Sequence, residues 1–177
     1  MYYVVQVETG KEQKVIDDLI KAHNSKGLFD VFSPFRRVLR KYKGETREAI
    51  ERCFPGYIFV ETEDAKQLFF DLYEIPGFTR LLGREGLSYH FDPLSKEEER
   101  MVSILYGVEN DRITPISDIE IAEGDEIRIL AGPLMDLQGK VKAVDLHKRK
   151  ATVEISLFQR SVEVQVGINI VTKKAPM

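Results

Sequence analysis

The apolar positions change period several times along the chain, and each change marks an element. Tyr2 to Val7 is β-branched and aromatic with Gln6 as its only polar interruption, the pattern of a strand buried on both faces. Thr9-Gly10-Lys11-Glu12 fits a capping box. Val15, Ile16, Leu19 and Ile20 follow at helical spacing, which predicts a helix ending near Gly27. Val31 to Tyr42 reads as extended, with Lys43-Gly44 as a turn before Thr46. Cys53 to Glu61 is a second apolar strand, bent at Pro55-Gly56. Asp64 is placed to cap a helix carrying Leu68, Phe69 and Leu72, and Gly77 to Leu82 reads as a short strand. Ser95 and Glu98 form a further capping box for a third helix, with Met101, Ile104 and Leu105 turned inward.

The pattern changes after Gly107. Residues 108–122 have no long apolar run and carry Pro115, Asp118 and Glu120, so they read as an acidic linker. From Glu123 onward come short strands at Glu126–Leu130, Gly139–Val144, Ala151–Ser156, Ser161–Val166 and Asn169–Thr172, separated by turn residues. Close-spaced short strands predict a small barrel. The expected layout is therefore an α+β domain over 1–107 with a sheet and helices, a linker over 108–122, and an all-β barrel over 123–177.

Composition adds little until charge is mapped. The chain has 177 residues, is 43% hydrophobic and carries a formal net charge of −3. That size fits one ordinary domain or two small ones. The small negative total argues against a uniformly basic coat but hides two basic segments. Arg36, Arg37, Arg40, Lys41, Lys43, Arg47 and Arg52 stand against three glutamates between Ser33 and Arg52. Lys140, Lys142, Lys148, Arg149, Lys150 and Arg160 stand against Asp145 and Glu154 further on. The stretch between them, Glu85 to Glu126, is acidic. The opening residues lack a basic n-region and a cleavage site, and no apolar run approaches the ~18 residues of a membrane span. The expectation is a cytoplasmic protein.

Catalytic constellations are missing. His23, His90 and His147 fall in different elements, and none stands at metal-ligand spacing with Cys, Asp or Glu. Cys53 lies in an apolar run, which suits a buried thiol better than a nucleophile. Gly132 to Lys140 resembles a phosphate-binding loop only superficially: Leu134 stands where the first glycine belongs, and Val141 where Ser or Thr would hold magnesium. Glu97-Glu98-Glu99 occupies a helix first turn, where carboxylates complement the dipole. No enzyme, metal or cofactor is expected.

The basic segments read two ways. Lys148-Arg149-Lys150, in an expected hairpin turn, is either a solvated loop or a phosphate contact, because like charges so close repel unless an anion neutralises them. Lys140 and Lys142 alternate, as residues sharing one strand face do. Arg36, Arg37, Arg40 and Lys41 form a second strip, with Phe35 and Tyr42 beside it as core residues or base-stacking platforms. In Phe54-Pro55-Gly56-Tyr57-Ile58-Phe59-Val60, alternation places half the side chains in a core and leaves the other half for a helix layer or a partner.

Several of these segments together resemble the NusG family of transcription elongation factors. Tyr3-Val4-Val5-Gln6-Val7 with Thr9-Gly10-Lys11-Glu12 is similar to the family's Trp-Tyr-Val-Val start, with tyrosine in place of tryptophan. Phe54-Pro55-Gly56-Tyr57 and Pro76-Gly77-Phe78 are similar to motifs of its N-terminal NGN domain, and Ile129 to Ile155 resembles a KOW motif. The resemblance implies a four-stranded NGN domain, a linker and a five-stranded KOW barrel. It implies docking on the β′ clamp helices of RNA polymerase, with a bridge toward the β subunit. Carried over, the docking residues are Tyr3, Phe54, Pro55, Tyr57 and Phe59. It also implies a barrel loop, here Leu157, Phe158, Gln159 and Arg160, that binds Rho or the ribosomal protein NusE. That loop departs from the family's Phe-Gly-Arg-x-Thr-Pro-Val: Gln159 replaces glycine and Ser161-Val162 replaces Thr-Pro. The departures and heavy basic strips resemble a specialised paralogue of the LoaP type, which is associated with RNA hairpins. On this reading Arg36, Arg37, Arg40, Lys41, Lys140, Lys142, Lys148, Arg149, Lys150 and Arg160 contact RNA. A housekeeping NusG and a general KOW-type RNA-binding protein remain the alternatives.

Overall fold

The computed structural model describes residues 1–23, 27–83, 86–106, 111–158 and 160–171. Within them the elements are β1 (Tyr2–Val7), α1 (Glu12–Ala22), β2 (Leu28–Phe32), β3 (Phe35–Tyr42), β4 (Glu45–Arg52), β5 (Tyr57–Thr62), α2 (Ala65–Tyr73), β6 (Phe78–Leu81) and α3 (Lys96–Tyr106). They continue with β7 (Ile113–Thr114), β8 (Ser117–Ile121), β9 (Ile127–Ala131), β10 (Val141–Asp145), β11 (Lys150–Leu157) and β12 (Arg160–Ile170). The chain divides into two compact units. The first comprises Met1–Pro34, Phe54–Met101 and Leu157–Arg160; the second comprises Phe35–Cys53, Val102–Ser156 and Ser161–Met177.

The first unit is an antiparallel sheet in the order β2-β5-β1-β6. Tyr3, Val5 and Val7 of β1 and Ile58 and Val60 of β5 turn to one face, where they pack with Val15, Ile16 and Leu19 of α1 and Leu68 and Leu72 of α2. Each fully buried leucine contributes roughly 1.5–3 kcal/mol relative to exposure. Asp64 caps α2 as expected, its Oδ1 accepting from the Gln67 amide at 2.9 Å. Ser95 and Glu98 form their reciprocal box. The box at Thr9 does not form: Lys11 is the N-cap and makes no side-chain cap bond. Glu12 is instead fully buried, with Oε2 accepting from the Gly10 amide (2.9 Å) and Oε1 from the Gly56 amide (2.8 Å). The carboxylate ties the β1–α1 turn to the bend before β5. Gly56 sits there at φ +82°, where a Cβ would come 3.1 Å from Thr9 Oγ1.

The second unit contains a five-stranded sheet in the order β10-β11-β12-β8-β9 and a three-stranded sheet in the order β4-β3-β7. Ala151, Val153 and Ile155 of β11 are buried at alternate positions, as are Val164 and Val166 of β12. Arg36 of β3 reaches β12, its Nη1 donating to the Gln165 carbonyl at 2.8 Å.

Four further expectations change. The segment 108–122, expected as a linker, carries β7 and β8, and β8 lies inside the five-stranded sheet, parallel to β12; Gly107 to Asn110 lie outside the described residues. The two strands expected at 161–166 and 169–172 are one, β12, running through Gly167. That glycine does not turn the chain. A Cβ there would stand 2.2 Å from the Arg37 carbonyl oxygen and 3.1 Å from Val38 Cα, so its missing side chain admits the backbone of β3. The extended run Val31 to Tyr42 splits at Ser33-Pro34 into β2 and β3, which belong to different sheets. On α3 the buried residues are Val102, Leu105 and Tyr106, while Met101 and Ile104 are half-buried.

Candidate functional site

Alternation along β1 and β5 decides where the expected docking residues fall. Tyr3, expected on the docking face, is in the helix-side core at 3% exposure. Burial raises its hydroxyl pKa, helped by the Asp92 and Asp64 carboxylates. Phe59 pairs with Val4 and Phe32 in the sheet register. It stacks on Phe32 at 5.6 Å and meets Phe54 edge-on at 5.3 Å. Phe54 and Phe59 are buried at 2% and 1%. Of the five, only Pro55, exposed, and Tyr57, half-buried, reach solvent. The Tyr57 amide donates to the Phe54 carbonyl at 3.1 Å, closing the turn that presents them.

A second aromatic cluster escaped sequence reasoning. Phe69 of α2 stacks on Phe91 at 5.1 Å, Phe70 lies 5.5 Å from Tyr89, and Lys66 Nζ stands 6.0 Å over the Tyr89 ring. Phe70, Tyr73 and Tyr89 are exposed. The helical spacing of Phe70 and Tyr73 hinted at one edge of this patch, but nothing local placed Tyr89 beside it.

The basic residues form a different kind of site. The turn at Lys43-Gly44 fixes the hairpin register, so that Arg40 faces Arg47 and Arg36 faces Glu51. Arg36 is almost fully buried, and its Nη2 donates to Glu51 at 3.0 Å. Arg40 donates to the same carboxylate, through Nε at 2.7 Å, and so does Lys150 Nζ at 3.0 Å. Burial alone would raise the Glu51 carboxyl. The hydrogen bonds from Arg36, Lys150 and Arg40 override it and hold its pKa down at about 2. Glu51 thus gathers Arg36, Arg40 and Lys150 around one carboxylate, whereas the sequence showed it only as one of three glutamates standing against the basic strip.

Beside this cluster is a groove of about 300 Å³. Leu39, Arg40, Lys41 and Thr46 of the hairpin line it, together with His147 to Lys150 of the β10–β11 turn. It brings together the two basic strips, which lie about a hundred residues apart in sequence: Lys150 and Glu51 are separated by 99. Other predicted contacts stand elsewhere. Arg37 pairs with Glu48 at 3.1 Å. Lys142 is neutralised by Glu154 (3.1 Å) and Glu163 (2.5 Å), which raise its pKa. Lys140 ends a 3₁₀ turn, Gln138–Lys140, before β10 begins at Val141, so it does not share a strand face with Lys142 as expected. Arg160 is exposed at the start of β12.

In the expected partner loop, Leu157 is buried, and the Phe158 amide, at φ +50°, donates to Glu98 Oε1 at 2.6 Å. Gln159 lies outside the described residues. Cys53 is buried; desolvation drives its thiol up to about 11, which leaves it protonated and inert. No helix among the described residues is long and apolar enough to cross a membrane.

Comparison with known proteins gives one consistent result. Residues 1–102 match the family model described as transcription termination factor nusG, and residues 123–156 match the KOW motif. The transcription termination/antitermination protein NusG of Staphylococcus aureus strain Mu50 is 28% identical over 176 residues, covering 97% of this chain and 94% of that protein. The NusG of strain N315 matches equally. A solved structure of Thermotoga maritima NusG, concerned with its domain interaction, is 22% identical with a TM-score of 0.55, over 94% of this chain and 92% of that one.

Proposed function

The chain belongs to the NusG family of transcription termination/antitermination factors, with an NGN-type sheet-and-helix part and an all-β KOW part, and from that premise we propose that it is a specialised, RNA-recruited antiterminator of the LoaP type. It docks on RNA polymerase through the turn that presents Pro55 and Tyr57. The exposed Phe70–Tyr73–Tyr89 patch in the same unit supplies a second protein contact, toward the β subunit. RNA is held by its phosphates in the groove of the second unit, and a folded hairpin suits such a site because duplex RNA is read mostly by shape and backbone.

The observation that carries this reading is the groove. Arg40, Lys41, Lys148, Arg149 and Lys150, drawn from two distant segments, line one concave surface of about 300 Å³, so that their potentials add there. The occupied loop favours it over a housekeeping factor that couples to Rho or NusE, because Leu157 is buried and the Phe158 amide is already bonded. The full-length similarity to proteins named NusG favours the housekeeping reading instead.

Two measurements on the purified chain separate these. In transcription assays with purified polymerase, wild type extends RNA past a terminator placed behind a hairpin leader, and Tyr57→Ala abolishes this while melting like wild type. Polymerase affinity should fall about 30-fold, the loss of an interface hot spot of ~2 kcal/mol. Titration against structured RNA, unstructured RNA and duplex DNA at two salt concentrations should show binding to a hairpin that weakens with salt, as phosphate contacts require, but stays far tighter than that of the other ligands at both concentrations. Weak binding that vanishes with salt for every ligand overturns the RNA part and leaves a factor recruited by polymerase contacts.

A further inference from the structure

We infer that Glu51 is a specificity-determining residue: an internal counter-anion that occupies the place of a phosphate among Arg36, Arg40 and Lys150 and so lowers the groove's affinity for polyanions that do not fit it. The inference rests on the reading that the groove takes a phosphate backbone.

The geometry is that of an anion site already filled. Both carboxylate oxygens of Glu51 are engaged, Oε1 by Arg40 and Oε2 by Arg36 and Lys150. Two of these cations, Arg40 and Lys150, also line the groove. Their side chains differ in exposure, 64% for Arg40 and 19% for Lys150, so Glu51 engages one exposed and one sheltered cation of the wall. A cation bonded to a carboxylate releases few counterions when a polyanion arrives, so its contribution to non-specific binding is suppressed. Lys41 and Arg149 line the same groove without sharing that carboxylate, and Lys148 has only a long, exposed pairing with Asp145 at 3.9 Å. A ligand must therefore be held by these three, in their particular arrangement, before it can compete for the other two. Discrimination comes from this subtraction as much as from attraction.

The test compares Glu51→Gln with Glu48→Gln. Both remove one negative charge from β4, but Glu48 pairs with Arg37, and neither of those residues lines the groove. Binding is measured for inorganic polyphosphate, an unstructured RNA and a hairpin RNA across a salt series, with thermal melting alongside. Glu51→Gln is expected to tighten polyphosphate and unstructured RNA about fivefold and to steepen the salt dependence by about one to two counterions. It should melt lower than wild type, and Glu48→Gln should change binding little. A double variant, Arg36→Met with Glu51→Gln, restores the net charge and removes the cation that Glu51→Gln leaves half-paired. It should still bind polyphosphate more tightly than wild type. Equal effects of Glu51→Gln and Glu48→Gln, or weaker binding in either Glu51 variant, overturn the inference and make the cluster a structural ion pair. If polyphosphate responds as expected while no RNA binds any variant, Glu51 keeps its role and the RNA reading falls.

Discussion

The bend before β5 and the basic groove are built on opposite terms. At the bend, the residues that suggest an interaction surface are largely the ones that hold the sheet together. Phe54 and Phe59 sit in an aromatic cluster with Phe32, and Tyr3 is in the helix-side core. Only Pro55 and Tyr57 are spared for other work. In the groove, the suggestive residues are mostly peripheral: Lys41 and Lys148 are exposed, and the core of that unit is built from Val153, Ile155, Val164 and Val166. One surface has its candidate contacts welded to its packing, and the other carries most of its charges outside the core, tied to the frame only through the Glu51 cluster. Substitutions should therefore separate the two regions cleanly.

The strongest break of that contrast is Phe59→Ala. Removing a fully buried ring should cost about 3–5 kcal/mol, read as a lower urea midpoint of the first unit. A midpoint unchanged from wild type would mean that Phe59 is free for a partner after all, and the two regions would then be alike. A smaller effect, of the opposite kind, is expected from Lys148→Glu combined with Arg149→Glu. RNA affinity should drop about tenfold and its salt slope flatten by about two contacts, while stability stays within ~0.5 kcal/mol. Unfolding of this double variant would show that the turn carries structural weight.

A third effect concerns acid. Glu51 titrates at about 2 when folded against an ordinary 4.5, so its contribution is present above pH 4.5 and is lost as pH falls toward 2. Urea unfolding of wild type and Glu51→Gln across this window should give curves that converge on acidification. A gap that stays constant would show that the carboxylate stabilises nothing through its charge.

What could be read along the chain was whatever is local. The strand at Tyr2–Val7, the Asp64 cap and the Ser95–Glu98 box depend on neighbours a few residues away, and all three stand. The box at Thr9 failed because Glu12 had a better use across the sheet, at Gly56. The strands β7 and β8 were hidden because their partners are remote: β8 lies beside β12, some fifty residues on, and its acidic residues imitate a linker. For the aromatic face, alternation told that the side chains of β5 divide between two sides but not which side is covered. The Glu51 cluster was half legible. Counting outward from Lys43-Gly44 pairs Glu51 with Arg36, but nothing local brings Lys150 to the same carboxylate.

Gly167 gives the groove's frame an unequal history. The atoms that crowd it, the Arg37 carbonyl and Val38 Cα, are main chain, so no exchange of side chain on β3 makes room for one at position 167. The constraint cannot be shared or traded with a compensating change across the contact. A diverging copy of this gene is free to rewrite the outer charges of the groove, Lys41, Lys148 and Arg149, and with them the ligands it favours, while a single hydrogen atom at position 167 stays fixed.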